Sequence, residues 1–324
     1  MGAFPVDIAV VAFTEFVTPE DPNRNEVEIL IPVIADALAS VGFEQKDIDF
    51  TVSGSADYLQ GQPFAFVAAV DALGAWPPIR ESHLEMDGAF ALYEAMMVLA
   101  HGDAETALVY AFGRPSRGDL DRILALQLDP YLVAPQWPDA RDLAGLQAQA
   151  MRDSGKYAAV PEVPPTPVSD GGCALILVKG DRARQLVGRP AWITGIDHRI
   201  ESQHLGQRDL SESVSTRLAA HGAGVSGSFD ASYVHSTYPH QTLLVLDALQ
   251  STGAGVSPVE MFSDSGPMMA AGLSRIGHAA RGIWEGKERV IAHAQSGACM
   301  QQNLVAVLAS EPDAGQSAKG EVAA

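Results

Sequence analysis

His83–Asp103 reads HLEMDGAFALYEAMMVLAHGD. An Asp-Gly pair at 87–88 opens a strongly apolar run, and Gly102 closes it fourteen residues after Gly88. Acid, glycine, apolar periodicity and terminal glycine together predict a buried helix entered through a tight elbow, from about Ala89 to His101. A strand follows in AETALVYAFG, 104–113. Such an elbow commonly presents a nucleophile at a helix N-terminus. Here the residues leading into it are Glu85 and Met86, with no Cys or Ser at the turn. The site therefore either uses different chemistry or has lost its own.

The same pattern recurs in DSGPMMAAGLSRIGHAARGIWEGKERVIAHA, 264–294. Gly272 begins an apolar helix, Gly286 ends it at the same fourteen-residue interval, and a charged turn and buried strand follow. FDASYVHSTYPHQTLLVLDAL, 229–249, likewise repeats the acidic-turn-and-strand unit around Asp49. Internal repetition takes precedence over local assignment when fold class is decided. NEVEILIPVIADALASVG, 25–42, has helical spacing and stops at Gly42, and a strand is predicted at Phe50–Val52. Strand and helix alternate through the first hundred residues, which implies α/β layers. The expected architecture is α/β, with two duplicated βαβαβ halves. The first takes 1–113 with 169–185, and the second takes 186–310. Between them, 114–168 is a Pro-rich excursion with one clear helix in LAGLQAQAMRDSGKY. SDGGCALILVKG, 169–180, returns to a buried strand, and 311–324 reads as a disordered tail.

Composition narrows the function classes. With 324 residues, 47% apolar and 19% charged, the chain suits two modest packed cores. Its longest apolar runs, such as ALILV and TLLVLDAL, are too short to span a bilayer. MGAFPVDIAVVAF reads as a first strand rather than a signal peptide. Cys173 and Cys299 have no CxxC partner, which suits a reducing cytoplasm and argues against a thiolate zinc site. A net charge of −19 opposes binding to nucleic acid or anionic lipid. GAGVSG, 222–227, fits GxGxxG in letters but opens no helix, so the dinucleotide context is missing. SDSGP, 263–267, matches a serine-protease loop in letters only, without a Cys-bridged all-β scaffold.

The duplicated chain resembles the thiolase superfamily, and within it the sterol-carrier-protein-like thiolases and their lipid-transfer relatives. ALASVGFEQKDIDF is similar to that family's Ala-Leu-x-x-Ala-Gly and Asp-Ile-Asp segment, and SDGGCALILV to its Ser-Asp-Gly-Ala-Ala strand. VHSTYPHQTLLVLDAL is similar to its His-Asp-x-Phe segment. The resemblance implies a thiolase-like fold in a five-layer α-β-α-β-α arrangement. It also implies a nucleophilic Cys three residues before the first elbow glycine, a Gly-His-Pro histidine and a second acid/base Cys. This sequence departs from the pattern at each: the nucleophile position falls on Glu85, the Gly-His-Pro histidine on Gly266 (Pro267 is kept), and the second Cys on His293. The family's Asn-Pro-Ser-Gly-Gly loop is contracted to FSDSG, 262–266. His235 is kept, with Tyr238 in place of the family's Phe.

These departures argue against covalent thiolysis, because a carboxylate at a helix N-terminus is a stabilised anion and a weak base, and its acyl anhydride poorly replaces a thioester. If the fold brings Glu85, His235 and His293 together, they form a non-covalent acid/base set, with Tyr238 as a further donor. Each also has a structural alternative. Glu85 caps the helix or is solvated, His235 bonds backbone in a buried loop, His293 packs inward, and Tyr238 packs where the family has Phe. No local spacing supports a metal. The resemblance implies retro-aldol cleavage of CoA-linked lipid or steroid intermediates, as in its cysteine-free members. It equally implies a non-catalytic subunit of an active paralogue or of a small OB-fold/zinc-ribbon partner, or a lipid carrier. Acyl-CoA is then a substrate rather than a tightly bound cofactor, and FGRPSRGDLDR, 112–122, is the best phosphate-binding candidate. A homodimer, or a heteromer joined at the sheet edge near the first elbow, is the implied assembly.

Overall fold

The computed structural model describes residues 6–21, 23–74, 79–163, 168–256, 258–260, 262 and 266–312. Most of the expected tail, and Ser263–Ser265 of the contracted loop, lie outside them. Among the described residues ten strands form one sheet: β1 (Ile8–Thr18), β2 (Phe50–Gly54), β3 (Glu81–Leu84), β4 (Thr106–Gly113), β5 (Asp170–Lys179), β6 (Ala191–Ile200), β7 (Ala231–Val234), β8 (Val259–Glu260), β9 (Arg289–Ser296) and β10 (Gln302–Ala309). The order is β8-β7-β9-β10-β6-β1-β5-β4-β2-β3. Read outward from the centre, each half follows one sequence: first strand, fifth, fourth, second, third. The halves join where β1 and β6 pair antiparallel, Ala9 against Trp192 and Val10 against Ala191.

Seven helices matter for the site: α1 (Glu26–Ser40), α2 (Gly88–His101), α3 (Leu120–Leu126), α4 (Ala140–Ser154), α5 (Val214–Gly222), α6 (Pro239–Gln250) and α7 (Ala271–Trp284). α1 starts at a capping box in which Asn25 and Glu28 each accept the other's backbone N–H at 2.8 Å. Gly42, just beyond its end, takes φ +70°, as a terminal glycine does. α2 and α7 pack on each other between the half-sheets, burying Phe90, Leu92, Met96, Leu273, Ile276 and Ile283. α1 covers the outer face of the first half, and α5 and α6 cover that of the second. The result is five layers, α-β-α-β-α. No helix among the described residues is long and apolar enough to cross a membrane.

Strand parity decides which layer each residue meets. In β9, Val290, Ala292 and Ala294 face the central helices, while Ile291 faces the outer layer. In β4, Ala107, Val109 and Ala111 face inward, and Leu108, Tyr110 and Phe112 outward. β1 carries a bulge at Val11, so Val10 and Phe13 both face the central layer despite their odd separation. β3 departs from the sequence reading, which took these residues as the approach to a turn. Its four half-buried residues, Glu81, Ser82, His83 and Leu84, lie at the sheet edge and lack the apolar run that marks an interior strand.

The two elbows are joined by one side chain. Asp87 is 3% exposed, and its carboxylate accepts N–H bonds from Ala89 of α2 (2.9 Å) and from Gly272 and Leu273 of α7 (2.8 and 3.1 Å). It therefore caps both central helices at once. Gly88 N–H donates to the Met269 carbonyl at 2.8 Å, completing the cross-link. So close an approach leaves no room for side chains. A Cβ on Gly88 would lie 2.5 Å from that of Ala111, and one on Gly272 would lie 2.4 Å from that of Ala294 and 2.5 Å from the Asp87 carboxylate. Ala111 and Ala294 occupy corresponding strands, so the duplicated halves solve the crossing in the same way.

Gly272→Ala is expected to destabilise the protein by about 1–3 kcal/mol from overpacking, although alanine favours a helix by about 1 kcal/mol. A denaturant midpoint that rises instead refutes the close-packed elbow. Asp87→Ala is expected to cost about 2–4 kcal/mol, because three buried amides lose their acceptor, and Asp87→Asn less. Burial pushes the Asp87 carboxyl up to about 6, against the three amides and Arg275, which pull it down. The folded state then binds more protons than the unfolded one between about pH 3.8 and 6. The stability of the native protein relative to Asp87→Asn should therefore fall as pH rises through that window and be flat above it. Urea titrations across pH measure this, and a pH-independent difference contradicts it.

Candidate active site

The Asp87 elbow forms the floor of a cavity of about 770 Å3. Its walls come from both halves and from the excursion. Leu124–Leu128 at the end of α3, with Leu143 and Ala144 of α4, supply an apolar side, and Met268 and Met269 supply another. The end of β9 and the turn after it, 295–299, close the polar side. Met269, Cys299 and Met300 all take left-handed backbone (φ +70°, +51° and +58°), where non-glycine residues are uncommon. Two side chains hold the 295–300 turn: half-buried Arg208 donates to the carbonyls of Ala298 and Cys299 (2.7 and 3.2 Å), and buried Gln147 donates to that of Cys299 (3.2 Å).

Glu85, His235 and Tyr238 all line this cavity. Glu85 follows the end of β3 and is half exposed; the Asp57 N–H bonds its carboxylate at 3.0–3.2 Å. Burial raises the Glu85 pKa, the Asp57 N–H opposes this, and the nearby Asp57 carboxylate adds to it. Asp57 itself stays below the usual range. Burial pushes it up, but the amides of Ala65 and Phe64 (2.8 and 2.7 Å) outweigh that effect. This reverses the expectation that the helix N-terminus makes Glu85 a weak base. The dipole and its amides are taken by Asp87, two residues on, and Glu85 meets a carboxylate instead.

His235 sits just beyond β7 and is buried. The Gln295 N–H donates to its Nδ1 at 3.4 Å, so the neutral ring carries its proton on Nε2. Burial, with the charge of Arg275 and the His293 ring nearby, holds its pKa well below the ordinary value. His235 is thus a neutral donor, not a base. Tyr238 precedes α6, and burial raises its pKa, helped by Asp121 and Asp139. The Thr237 and Tyr238 amides donate to Gln241 Oε1 (3.1 and 3.2 Å), which also accepts from Gln295 Nε2 (2.9 Å).

His293 does not join them. His235 N–H donates to its carbonyl at 3.2 Å, yet its ring lies on the outer face of β9, where parity sends it with Ile291. It is fully buried there, with Nε2 2.9 Å from Asn303 Oδ1, and Asn303 in turn donates to Ser215 Oγ of α5 at 2.7 Å. Burial lowers its pKa to about 4, against its bonds to Asn303 and His235. It is a neutral link between sheet and helix. Sequence reading missed Asp57, Gln241, Gln295 and Gln147, since amides and a lone acid on separate elements carry no local pattern.

Neither cysteine offers a thiolate. Burial raises Cys173 well above its ordinary value, and Cys299, pushed up to about 11, donates its thiol to the Leu143 carbonyl at 3.3 Å. Among the phosphate-binding candidates, Arg114 is buried, 3.6 Å from Glu26 and bonded to the Asp21 carbonyl. Arg117 and Arg122 are exposed. No three His, Cys, Asp or Glu side chains converge as a metal-ligand set among the described residues.

A scan against protein-family models and a search of curated proteins both return no match. Solved structures do match. The Ltp2–ChsH2 (DUF35) aldolase aligns at TM-score 0.74 over 96% of this chain and 99% of that one, with 15% identity. Human mitochondrial 3-ketoacyl-CoA thiolase in complex with CoA aligns at 0.65 over 95% and 99%, with 14% identity. A monomeric SCP2-thiolase-like protein type 1 from Mycobacterium smegmatis aligns at 0.63 over 96% and 78%, with 16% identity. Identities this low speak for architecture alone. With its duplicated strand order and crossed central helices, the chain has the thiolase-like fold.

Proposed function

We propose that this protein is a non-covalent C–C lyase of the retro-aldol type, acting on a β-hydroxyacyl thioester carried by CoA. The supporting observation is the chemistry gathered in one cavity: a carboxylate with a raised pKa faces the same space as a neutral imidazole donor, and both thiols stay protonated. Glu85 takes the proton of the substrate's β-hydroxyl, and the freed electron pair forms the new C=O. The Cα–Cβ bond breaks, and its electrons pass into the thioester carbonyl. Negative charge gathering on that oxygen is met by His235 Nε2–H, with the Tyr238 hydroxyl as second donor. The proton held by Glu85 returns to Cα, giving a carbonyl product and a shortened acyl thioester. Leu124, Leu126 and Leu128 offer an apolar wall for a lipid or steroid acyl group. That one structural neighbour is named an aldolase, and another holds CoA, agrees with this reading.

The second reading is a supporting subunit for an active paralogue or an OB-fold/zinc-ribbon partner. Arg114 is consumed internally, which leaves few cations near the excursion for CoA phosphates. β3 ends one residue before Glu85 and forms one edge of the sheet, so a second chain seated there, a copy or a paralogue, would stand beside the cavity. Two free buried thiols fit a cytoplasmic location.

Purified protein, alone and with its native co-purifying chains, is to be assayed with β-hydroxyacyl-CoA and 3-ketoacyl-CoA. Cleavage of the former is expected. Glu85→Gln should lower kcat/KM by ~10²–10⁴-fold and His235→Ala by ~10²-fold. His293→Ala should lower stability and leave kcat within a few-fold. The acid limb of the rate should lie above the ordinary glutamate value of 4.5, because Glu85 must be ionised and its pKa is raised. Turnover that survives both Glu85→Gln and His235→Ala removes the lyase reading. Activity that appears only in a partner, and only in this chain's presence, establishes the supporting role.

A further inference from the structure

His83 is used by nothing so far described, yet it lies two residues before Glu85. Its side chain is 9% exposed, and its ring stacks on Phe66 at 4.5 Å between centroids and 13° between planes. Parallel register places it in a row across three strands: Tyr110 of β4 opposite Ser53 of β2, and Ser53 opposite His83 of β3. Ser53 Oγ lies 2.9 Å from His83 Nδ1. The other nitrogen, Nε2, is buried without a hydrogen-bond partner among the described residues, and it lies 3.7 Å from Glu85 Oε1. A buried ring nitrogen without a hydrogen-bond partner is costly. That cost is explained if the nitrogen is aimed at a carboxylate whose bond tightens during the reaction, since such bonds are often long in the empty site.

We infer that His83 is a positioning residue acting through Glu85: Ser53 donates its hydroxyl proton to Nδ1, the ring keeps its proton on Nε2, and that N–H orients the Glu85 carboxylate toward the substrate. The inference rests on the reading of Glu85 as the base. Phe66 fixes the plane of the ring, and a hydrogen bond given by Ser53 to Nδ1 leaves the ring proton on Nε2. The titratable groups facing the ring are Glu81 of its own strand, Asp57, Glu85 and Tyr110. Burial lowers the His83 pKa, and the charges of Glu81 and Asp57 oppose that fall. The ring therefore serves as a neutral donor, which stabilises the ionised form of Glu85 without locking it into an ion pair. Its loss should raise the Glu85 pKa further.

The test needs no substrate at its first stage. The Glu85 side-chain carboxyl is titrated by 13C NMR in the full chain, in native protein and in His83→Leu and His83→Gln. His83→Leu should raise the Glu85 pKa by about one unit, and His83→Gln, which keeps an N–H donor, should restore most of it. The acid limb of kcat/KM should move with it. The 15N shifts of His83 should report the proton on Nε2. A folded His83→Leu protein with an unmoved Glu85 titration overturns the inference, as does a ring proton on Nδ1. Should His83→Leu not fold, Glu85→Gln answers from the other side: losing the carboxylate should lower the His83 pKa, and no shift overturns the pair. Coupling found without any cleavage of β-hydroxyacyl-CoA refutes the lyase reading and leaves the pair standing.

Discussion

The Asp87 carboxylate, bonded to first-turn amides of both central helices, is the constraint around which the molecule is arranged. A helix N-terminus buried in a protein core needs an acceptor for its amides, and here two such termini meet in one place. One ionised side chain serves both, and so it fixes the distance between them. The crossing requires glycine at 88 and 272, because a side chain there would strike the strand alanines Ala111 and Ala294 and, across the crossing, Leu273 or the Asp87 carboxylate. The two half-sheets are then held at the spacing that leaves a cavity above the crossing.

The same arrangement sets the chemistry available in the cavity. Because Asp87 answers both dipoles, Glu85 is released from the usual role of an acid at a helix start. It lies instead beside Asp57, whose own bonds to Phe64 and Ala65 keep it charged. Two carboxylates at close range cannot both ionise freely, and the one with fewer donors yields. Across the cavity the imidazole of His235 is neutral because burial and Arg275 disfavour its cation. A carboxylate with a raised pKa and a neutral imidazole are thus set apart by environment rather than by residue type, as the proposed acid/base chemistry needs. Both thiols, by contrast, are buried in surroundings that disfavour the thiolate.

Much of the fold is readable from the chain because it is written twice. Gly88 with Gly102 and Gly272 with Gly286 bracket helices of equal length, and the flanking apolar runs have room only for buried strands. Asn25 and Glu28 announce α1, and Gly155 ends α4, as local backbone chemistry demands. β3 was invisible because an edge strand of mixed polarity owes its pairing to β2 rather than to its own composition.

The site divides along a different line. That Glu85 stands at the elbow, that a histidine lies at 235 and that no cysteine lies at the turn are facts of the sequence alone. The protonation preference of Glu85, the tautomer of His235 and the exclusion of His293 are not. They depend on Asp57, Gln295 and Asn303, which lie 28, 60 and 10 residues away along the chain. His235 and His293 even share a backbone hydrogen bond, yet strand parity turns one ring toward the central helices and the other toward α5. Sequence fixes which groups exist and the period of each element. Charge, tautomer and facing arise from neighbours brought together only by packing, because electrostatic and hydrogen-bond energies depend on distance in space and not on distance along the chain.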